Sequence, residues 1–399
     1  MEPTYIALGE VADVTKLAGF EFTKYINYND TGEIIALRAL NLRHGELDLG
    51  DIKRIDKEVS DFLSRSKLFI NDILLTYTGN GYGDCALIRE NDKYHLAPNI
   101  CKITPDPQKI NPYFLYSYIR GKEFYQQMSN HMVGSSQPTI PMKTIRLLEV
   151  PLLSMEIQRK IVSIIFSLDE KIRTNQAIND NLERQVQAYF QELFVENADP
   201  AWTLGAISDL GTVVGGSTPS KSKPEYYTED GIAWITPKDL SINKAKFISH
   251  GENDITELGL KNSSASIMPE GTVLFSSRAP IGYIAIASGE VTTNQGFKSV
   301  VPKPEIGTAY VYCFLKHNLP VIEGMASGST FKEVSGSTMK NVPAVIPDTE
   351  TLTCFNDFCA PIFAHQRILE EQNQSLAALR DSLLPKLMSG EIDVSGIQL

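Results

Sequence analysis

Short polar side chains stand beside glycines at corresponding places in the two halves of this 399-residue sequence. Hydroxyls and backbone N–H groups can hold phosphate oxygens, while arginine, glutamine and asparagine can hydrogen-bond to base edges in the major groove. We therefore predict a nucleic-acid contact surface in each half, although any one of these loops could be an ordinary solvated loop. The predicted contact residues of the first half are Thr76, Tyr77, Thr78, Asn80, Tyr82, Ser135, Ser136 and Gln137. Those of the second half are Ser217, Thr218, Lys221, Lys238, Ser276, Ser277, Arg278, Ser329, Thr330 and Lys332.

The glycine-rich segment Gly79–Gly83 follows an apolar strand-like run, as nucleotide and S-adenosylmethionine loops do. Such a loop must open a helix whose N-terminus faces the ligand. The apolar run Cys85–Ile88 follows instead, and it reads as a returning strand. We therefore favour a β-hairpin with Asn-Gly turn chemistry over a cofactor loop.

No other motif predicts catalysis. Asn111–Phe114 is similar to the Asn-Pro-Pro-Tyr box of adenine methyltransferases but lacks the second proline, so we interpret it as a helix start with Asn111 as N-cap. The sequence has no HExxH, GxxxxGK[ST] or GxSxG pattern, and its six histidines are scattered. The chain is predicted to have no catalytic residues, no metal site and no cofactor of its own.

Charge and composition restrict the class of protein. The formal net charge is −11, from 37 basic and 48 acidic residues, and no region is strongly basic. Because nucleic-acid affinity depends largely on phosphate neutralisation, any DNA contact should use local basic patches or surfaces supplied by partners. The five cysteines are odd in number and never spaced as CxxC, which favours buried free thiols. No apolar run is long enough to span a membrane and no secretory signal is visible, so a cytoplasmic location is expected.

The sequence repeats itself with a period of about 197 residues. Several segments return in the same order, and each half ends in an apolar run followed by a long helical pattern. The clearest pairs are Leu8–Val14 with Leu204–Leu210, Ile34–Leu37 with Ile232–Ile235, Asp72–Thr76 with Thr272–Ser276, Asn111–Leu115 with Thr308–Tyr312, and Gly134–Ser136 with Gly328–Thr330.

Ser154–Val195 has apolar residues at alternating three- and four-residue spacing, which predicts one helix of about 60 Å with a coiled-coil seam. Phe355–Leu383 repeats that spacing. We predict that the two helices pack antiparallel against each other; the alternative is two unrelated surface helices. The seam positions of the first helix are Ile165, Leu168, Ile172, Asn175, Asn179, Leu182, Val186, Tyr189 and Leu193.

The predicted fold class is α+β, with two globular domains separated by two long antiparallel coiled-coil helices and an internal pseudo-two-fold repeat. The predicted division is a first globular domain over 1–153, a central helix over 154–197, a second globular domain over 198–350, and a distal helix with a C-terminal tail over 351–399.

The repeat, the two helices, Trp234–Leu240, Ser277-Arg278 before Ile281-Gly282, and the ending Leu383–Ile392 together resemble the specificity subunit of type I restriction–modification systems. The resemblance covers essentially the whole chain. It implies that each globular domain is a target-recognition domain reading one half of a split double-stranded DNA sequence.

By the same resemblance, the helices act as a spacer and as the docking surface for two modification subunits, which bring S-adenosylmethionine and methylate adenine. Restriction subunits, which translocate and cleave DNA, are further expected partners. Two other hypotheses stay open at this point: a coiled-coil scaffold that joins proteins without touching DNA, and a fused methyltransferase, which the missing cofactor loop disfavours.

Overall fold

The computed structural model describes residues 3–43, 45–79, 81–134, 137–328 and 332–397. Its contacts divide the chain into two compact units. The first unit contains Met1–Ile172 and Ser375–Leu399, and the second unit contains Arg173–Gln374. Both boundaries fall inside long helices, so each unit combines one globular domain with a segment of each helix.

The globular part of the first unit is built from short strands. They are β1 Thr4–Ala7, β2 Ala12–Lys16, β3 Ile34–Leu37, β4 Leu42–Arg43, β5 Glu46–Leu47, β6 Lys53–Ile55, β7 Ile73–Thr76, β8 Cys85–Leu87, β9 Tyr94–Leu96, β10 Ile100–Pro105 and β11 Glu149–Leu152. One antiparallel sheet has the order β2-β10-β7-β8, and a mixed sheet has the order β6-β3-β9. β1 pairs with β11, and β4 pairs with β5.

The helices of this part of the chain are α1 Leu8–Val11, α2 Gly19–Tyr25, α3 Lys57–Phe62, α4 Pro112–Ile119, α5 Lys122–Asn130, α6 Met142–Leu147 and α7 Met155–Gln191. The Asn111 side chain accepts hydrogen bonds from the N–H groups of Tyr113 at 2.9 Å and Phe114 at 3.2 Å. These bonds satisfy donors that a helix start leaves unpaired, and Pro112 stands at the first helical position. The predicted N-cap is confirmed.

Strand β7 is buried along its whole length because both of its faces are covered. Successive side chains of a strand point to opposite faces of the sheet. Ile73 and Leu75 accordingly pack in one apolar cluster, and Leu74 packs in another. The end of β7 is therefore held rigidly, and the loop that follows it starts from a fixed position.

The second unit repeats this order of elements. Its strands are β12 Thr203–Ala206, β13 Gly211–Gly215, β14 Tyr227–Thr228, β15 Ile232–Ile235, β16 Phe247–Ile248, β17 Asn253–Ile255, β18 Val273–Ser277, β19 Ile281–Ala287, β20 Thr292–Thr293, β21 Lys298–Pro302 and β22 Pro343–Ile346. The helices that follow α7 are α8 Ile207–Leu210, α9 Pro237–Ile242, α10 Glu257–Lys261, α11 Thr308–His317, α12 Leu319–Gly324, α13 Gly336–Lys340 and α14 Thr349–Met388.

Sheet topology confirms the repeat predicted from the sequence. The sheet β13-β21-β18-β19-β16 corresponds to β2-β10-β7-β8, and the pair β12-β22 corresponds to β1-β11. Val273 and Phe275 of β18 pack in one apolar cluster while Leu274 packs in another, as the residues of β7 do. The α+β class predicted from the sequence is also confirmed.

The segment around Gly79–Gly83 is a hairpin. β7 and β8 are antiparallel with Ile73 opposite Leu87, and the Gly83 N–H donates to the Thr76 carbonyl oxygen at 2.9 Å. Gly79 and Gly83 have φ angles of +86° and +88°, a region that glycine adopts without steric cost. Turn geometry therefore explains these glycines, and no helix opens after them as a cofactor loop would require.

The central helix α7 uses the seam predicted from the sequence. All nine seam positions of the central helix are buried or half-buried. In the second unit, Asn175 donates to Asn373 at 2.9 Å, and Gln366 donates to the Asn179 carbonyl oxygen at 3.2 Å. In the first unit, Asp169 pairs with Arg380 at 2.9 Å.

Within the second unit, residue numbers fall along α14 from 373 to 366 as they rise along α7 from 175 to 179, so these two helix segments are antiparallel. The spacing on α14 also predicts seam positions at Phe358, His365 and Leu379, but all three are exposed, and Gln366 instead of His365 contacts the central helix.

Among the described residues, no helix is both long and apolar enough to cross a membrane. The same residues contain no group of three or more His, Cys, Asp or Glu side chains able to hold a metal ion. All five cysteines are free thiols; four are buried as predicted, and Cys354 is exposed.

Candidate nucleic-acid interface

In the first unit, two of the predicted segments lie side by side. The Ile140 N–H donates to the Tyr77 carbonyl oxygen at 3.0 Å, and the Gly79 N–H donates to the Pro138 carbonyl oxygen at 2.8 Å. Gln137 is exposed in the loop that precedes these contacts. The loop after β7 and the loop that contains Gln137 therefore form one surface. Three other predicted contact residues, Asn80, Ser135 and Ser136, lie outside the described residues.

Not every predicted residue of this surface is accessible. The Thr76 side chain is fully buried, so it cannot reach a duplex as predicted, and it belongs to the support of the loop. Tyr77 is only 9% exposed, with the Lys16 ammonium 5.5 Å from its ring centroid. The Thr78 hydroxyl accepts from Thr139 at 3.4 Å, which leaves Thr78 half-buried at the loop.

Tyr82 stacks on Tyr125 of α5, a residue that the sequence patterns did not single out. The ring centroids are 5.1 Å apart with an interplanar angle of 12°, and the Tyr125 hydroxyl donates to the Tyr82 hydroxyl at 2.9 Å. Tyr82 also hydrogen-bonds to Ser129 at 3.2 Å. The half-buried Tyr82 ring is thereby held in one orientation at the hairpin.

The second unit brings its corresponding segments together in the same way. The Val334 N–H donates to the Ser277 carbonyl oxygen at 3.0 Å, as that of Ile140 does to Tyr77 in the first unit. Lys332 is exposed at the start of this contact segment. The predicted residues Ser329 and Thr330 lie outside the described part of the chain.

Ser276 and Ser277 are fully buried, which corrects their predicted role as DNA contacts. The Ser276 hydroxyl donates to the Pro280 carbonyl oxygen at 2.8 Å and accepts from the Tyr283 N–H at 2.8 Å. The Ser277 hydroxyl donates to the Gly296 carbonyl oxygen at 3.0 Å. Both hydroxyls therefore shape the loop that carries Arg278, because each satisfies backbone groups of that loop or its neighbour.

Arg278 lies in a charged group with Lys298 and Glu333, which we call the Arg278 patch. Its guanidinium is 3.4 Å from the Glu333 carboxylate, and the Lys298 ammonium is 3.7 Å from the same carboxylate. The Arg278 side chain is 37% exposed, so it is accessible to a ligand. The sequence patterns did not identify Lys298 and Glu333 as neighbours of Arg278, because both are distant from it in sequence and stand in no recognisable motif.

The loop after β13 is fixed beside this region. The Trp234 indole N–H donates to the Ser217 carbonyl oxygen at 3.0 Å, and the Thr218 hydroxyl donates to Gln295. A Cβ atom on Gly216 would lie 1.9 Å from the Asn294 carbonyl oxygen, so the backbone requires glycine there. Gln295 is a neighbour of Thr218 that the sequence patterns missed.

The remaining predicted cations are exposed. Lys221 lies in the loop after β13, and Lys238 stands near the start of α9, where its ammonium pairs with Glu252 at 2.5 Å. Exposed pairs of this kind contribute little to stability, so Lys238 can exchange Glu252 for another anion. Its hydrogen bond with Glu252 raises the pKa of Lys238, which keeps the side chain charged.

The first domain is fastened to its helix segments by a buried charged group, the Asp169 cluster: Asp169, Tyr113, Arg120 and Arg380. Arg120 and the Tyr113 hydroxyl each lie 2.5 Å from Asp169, and Arg380 lies 2.9 Å away. Burial alone would raise the pKa of Asp169, but the Arg120 guanidinium and the other donors outweigh it and lower that pKa below its ordinary value. The carboxylate therefore stays ionised.

Comparison with known proteins places these features in one family. A sequence profile described as the type I restriction modification DNA specificity domain matches residues 3–184 and again residues 201–372. The two matches cover most of the chain and coincide with its two repeats. The chain belongs to this family.

Individual relatives carry the same description. The MjaIX specificity subunit of Methanocaldococcus jannaschii, a type I restriction enzyme subunit, is 40% identical over 191 residues, which cover 46% of this chain and 44% of that protein. The HindI specificity subunit of Haemophilus influenzae is 24% identical over 454 residues, covering 94% of this chain and 96% of the relative.

A solved structure of the family has the same fold. The crystal structure of the S subunit of a type I restriction–modification system from M. genitalium aligns with a TM-score of 0.56, covering 97% of this chain and 99% of that chain. At 17% identity the likeness extends to the fold alone. The repeat of domain and helix is thus a property of specificity subunits with very different sequences.

Proposed function

We propose that this chain is the specificity subunit of a type I restriction–modification complex, in which each globular domain reads one half of a split DNA target. The observation that carries the proposal is the double match to the DNA specificity domain, once over each repeat. Each match contains one globular domain and the greater part of the helix that follows it. The division into recognition domains over 1–153 and 198–350, with helices over 154–197 and 351–399, is part of this proposal.

In this proposal, catalysis belongs to the partners. Two modification subunits dock on the long helices, bring S-adenosylmethionine and methylate adenine, and restriction subunits join them to translocate and cleave DNA. The net charge of −11 fits this division of labour, because partners can supply much of the positive surface that holds a polyanion. The assembly works in the cytoplasm, where its DNA substrate lies.

DNA contact is assigned to the accessible residues of the two loop surfaces. In the first domain these are Thr78, Tyr82 and Gln137, with Tyr77 beside them. In the second domain the Arg278 patch lies at the surface formed by the hairpin and the loop that contains Lys332. The buried hydroxyls of Ser276 and Ser277 support the second of these loops from below, and Thr76 supports the first through its backbone carbonyl oxygen.

Arg278→Ala is expected to weaken DNA binding by the assembled complex by about 1–3 kcal/mol, the usual loss for a bidentate base contact. Arg278 is accessible, and the Glu333 carboxylate at 3.4 Å can be exchanged for guanine or phosphate. The measurement is equilibrium binding at moderate salt to the target duplex and to unrelated duplexes.

Lys261→Ala, which removes an exposed cation of the same domain in α10, serves as the control and should change affinity little. Glu333→Gln should strengthen binding because it removes the competing carboxylate. An equal loss on all duplexes would identify Arg278 as a phosphate contact, whereas unchanged affinity would refute the assignment.

The scaffold hypothesis makes a different prediction for the same experiment. A coiled-coil adaptor that never touches DNA would leave the complex with the same affinity for every duplex, and substitutions in the loops would have no effect. Family membership favours the recognition subunit, since the matching profile describes a DNA specificity domain.

A further inference from the structure

Lys246 is a buried lysine that the recognition loops do not use. Its side chain comes from the residue before β16 and is only 6% exposed. The ammonium lies 2.5 Å from the Glu183 carboxylate of α7 and 2.6 Å from the Gln366 amide oxygen of α14. One side chain of the second domain therefore contacts both long helices. We call Glu183, Lys246, Lys316, Tyr312 and Gln366 the Glu183 cluster.

Aromatic rings and backbone groups complete this contact. The Lys246 ammonium lies 3.9 Å from the centroid of the Phe363 ring and 4.7 Å from that of Tyr312, within the range of cation–π attraction. The Glu370 carboxylate accepts the backbone N–H groups of Lys246 at 2.8 Å and Phe247 at 3.0 Å. The start of β16 is thereby held on α14 in both position and direction.

The cluster is charged as well as buried. Burial alone would raise the pKa of Glu183, but Lys246 and Lys316 lower it to about 2, so the carboxylate is ionised. Lys316 of α11 reaches the same carboxylate at 2.7 Å and Tyr312 donates to it at 3.2 Å. Removing ions from water costs free energy that a buried pair barely recovers, so such a pair contributes more to geometry than to stability.

The first unit also has a buried ionic contact between its domain and its helix segments, built from different residues. In the first unit, Arg120 follows α4 and its guanidinium lies 5.0 Å from the centroid of the Tyr116 ring. In the second unit, the corresponding pair is in α11, where the Lys316 ammonium lies 5.2 Å from the centroid of the Tyr312 ring. Each tyrosine–cation pair faces a carboxylate of the central helix, Asp169 or Glu183. A buried ionic contact between domain and helices thus recurs in both units although the residues that build it differ.

We propose that Lys246 and Glu183 are positioning residues that fix the orientation of the second domain on its helix segments and thereby determine how strictly the complex measures half-site spacing. The inference rests on the proposed function. The cluster lines a cavity of about 340 Å³ where the second domain meets its helix segments. The half-site sequence itself should be unaffected, because the Arg278 patch shares no residue with the Glu183 cluster.

The test is a double variant, Lys246→Met with Glu183→Gln, in the full chain assembled with its modification subunits. Methionine can pack on Phe363 and Tyr312, and the double change removes both charges of the Lys246–Glu183 pair together. Lys316 loses its carboxylate partner, but its side chain is 37% exposed and can be solvated by water, so the fold should persist with a similar melting temperature. The matched control is Lys261→Met with Glu257→Gln, an exposed pair of α10 in the same domain. Methylation rates are measured on duplexes whose spacer is the preferred length or one base pair longer or shorter.

Wild-type and control complexes should methylate one spacer length. The Lys246/Glu183 variant should recognise the same half-sites but lose roughly tenfold in discrimination between spacers, equivalent to about 1.4 kcal/mol. A folded variant with wild-type discrimination would overturn the inference while leaving the proposed function intact. A wild-type complex that methylates none of the duplexes would overturn the proposed function and this inference with it.

Should the double variant fail to fold, Lys246→Arg provides the second arm. The guanidinium keeps the charge but cannot occupy the same place between Glu183 and the Phe363 ring, so the domain must shift. Relaxed or displaced spacer preference supports the positioning role, and an unchanged spacer preference rejects it.

Discussion

Asp169→Ala is expected to destabilise the first unit by about 3–5 kcal/mol, the usual loss when one partner of a buried ion pair is removed. The substitution leaves the Arg120 and Arg380 guanidinium groups beside each other without the carboxylate that both contact. Urea unfolding followed by a probe in the first unit measures the change. Asp180→Ala, an exposed aspartate on the same helix, is the control and should fall within about 0.5 kcal/mol of wild type.

The same cluster predicts a pH dependence with a definite sign. The folded-state pKa of Asp169 is lowered, so its contribution to stability is present above the ordinary aspartate pKa of about 3.9 and is lost as the pH falls through the folded value. The stability difference between wild type and Asp169→Asn should therefore be constant near neutral pH and shrink below about pH 4. A difference that instead grew on acidification would contradict this account of the cluster.

Matched insertions in both long helices are expected to change the spacing of the DNA target. Four residues are added between Ile172 and Arg173 and four between Gln374 and Ser375, the boundaries of the two units, so contacts within each unit are kept. Each insertion adds about one turn, or 6 Å of helix. Since a base pair rises about 3.4 Å, the preferred spacer should grow by one or two base pairs while the half-sites stay the same.

An insertion in the central helix alone, near Asn175–Asn179, is a poorer test. It would separate Asn175 from Asn373 and Asn179 from Gln366, which bond across the helix pair. A two-residue insertion serves as the disruptive control, because it rotates the apolar stripe by about 200° and should prevent assembly. A stable, active variant with matched insertions and an unchanged spacer would show that the helices do not set the distance.

Local sequence patterns predicted the parts of the fold that depend on local chemistry. The three- and four-residue spacing identified the helix seam, the Asn111-Pro112 pair identified a helix start, and the glycines after Thr76 identified a hairpin. The repeat was visible because turns, strands and helix starts recur in the same order. Each of these signals lies within a few residues of the structure that it specifies.

Contacts between distant residues could not be predicted in the same way. Nothing near Lys246 in the sequence indicates that its ammonium reaches Glu183 and Gln366, and nothing near Arg278 indicates Glu333 or Lys298. Ser276 and Ser277 looked like surface hydroxyls because serine is common in loops. Burial reverses that interpretation, since both side chains satisfy backbone carbonyl oxygens inside the domain.

The central claim is that each globular domain reads its own half of a split DNA target. The most direct measurement is genome-wide mapping of methylated adenines in cells that co-express modification subunits with this chain or with a chimera. In the chimera, residues 200–350 are replaced by the corresponding domain of another family member. The account predicts a bipartite motif for the native chain and a chimera motif that differs in one half only. A chimera that changes both halves, or a native chain whose presence adds no bipartite methylated motif, would contradict it.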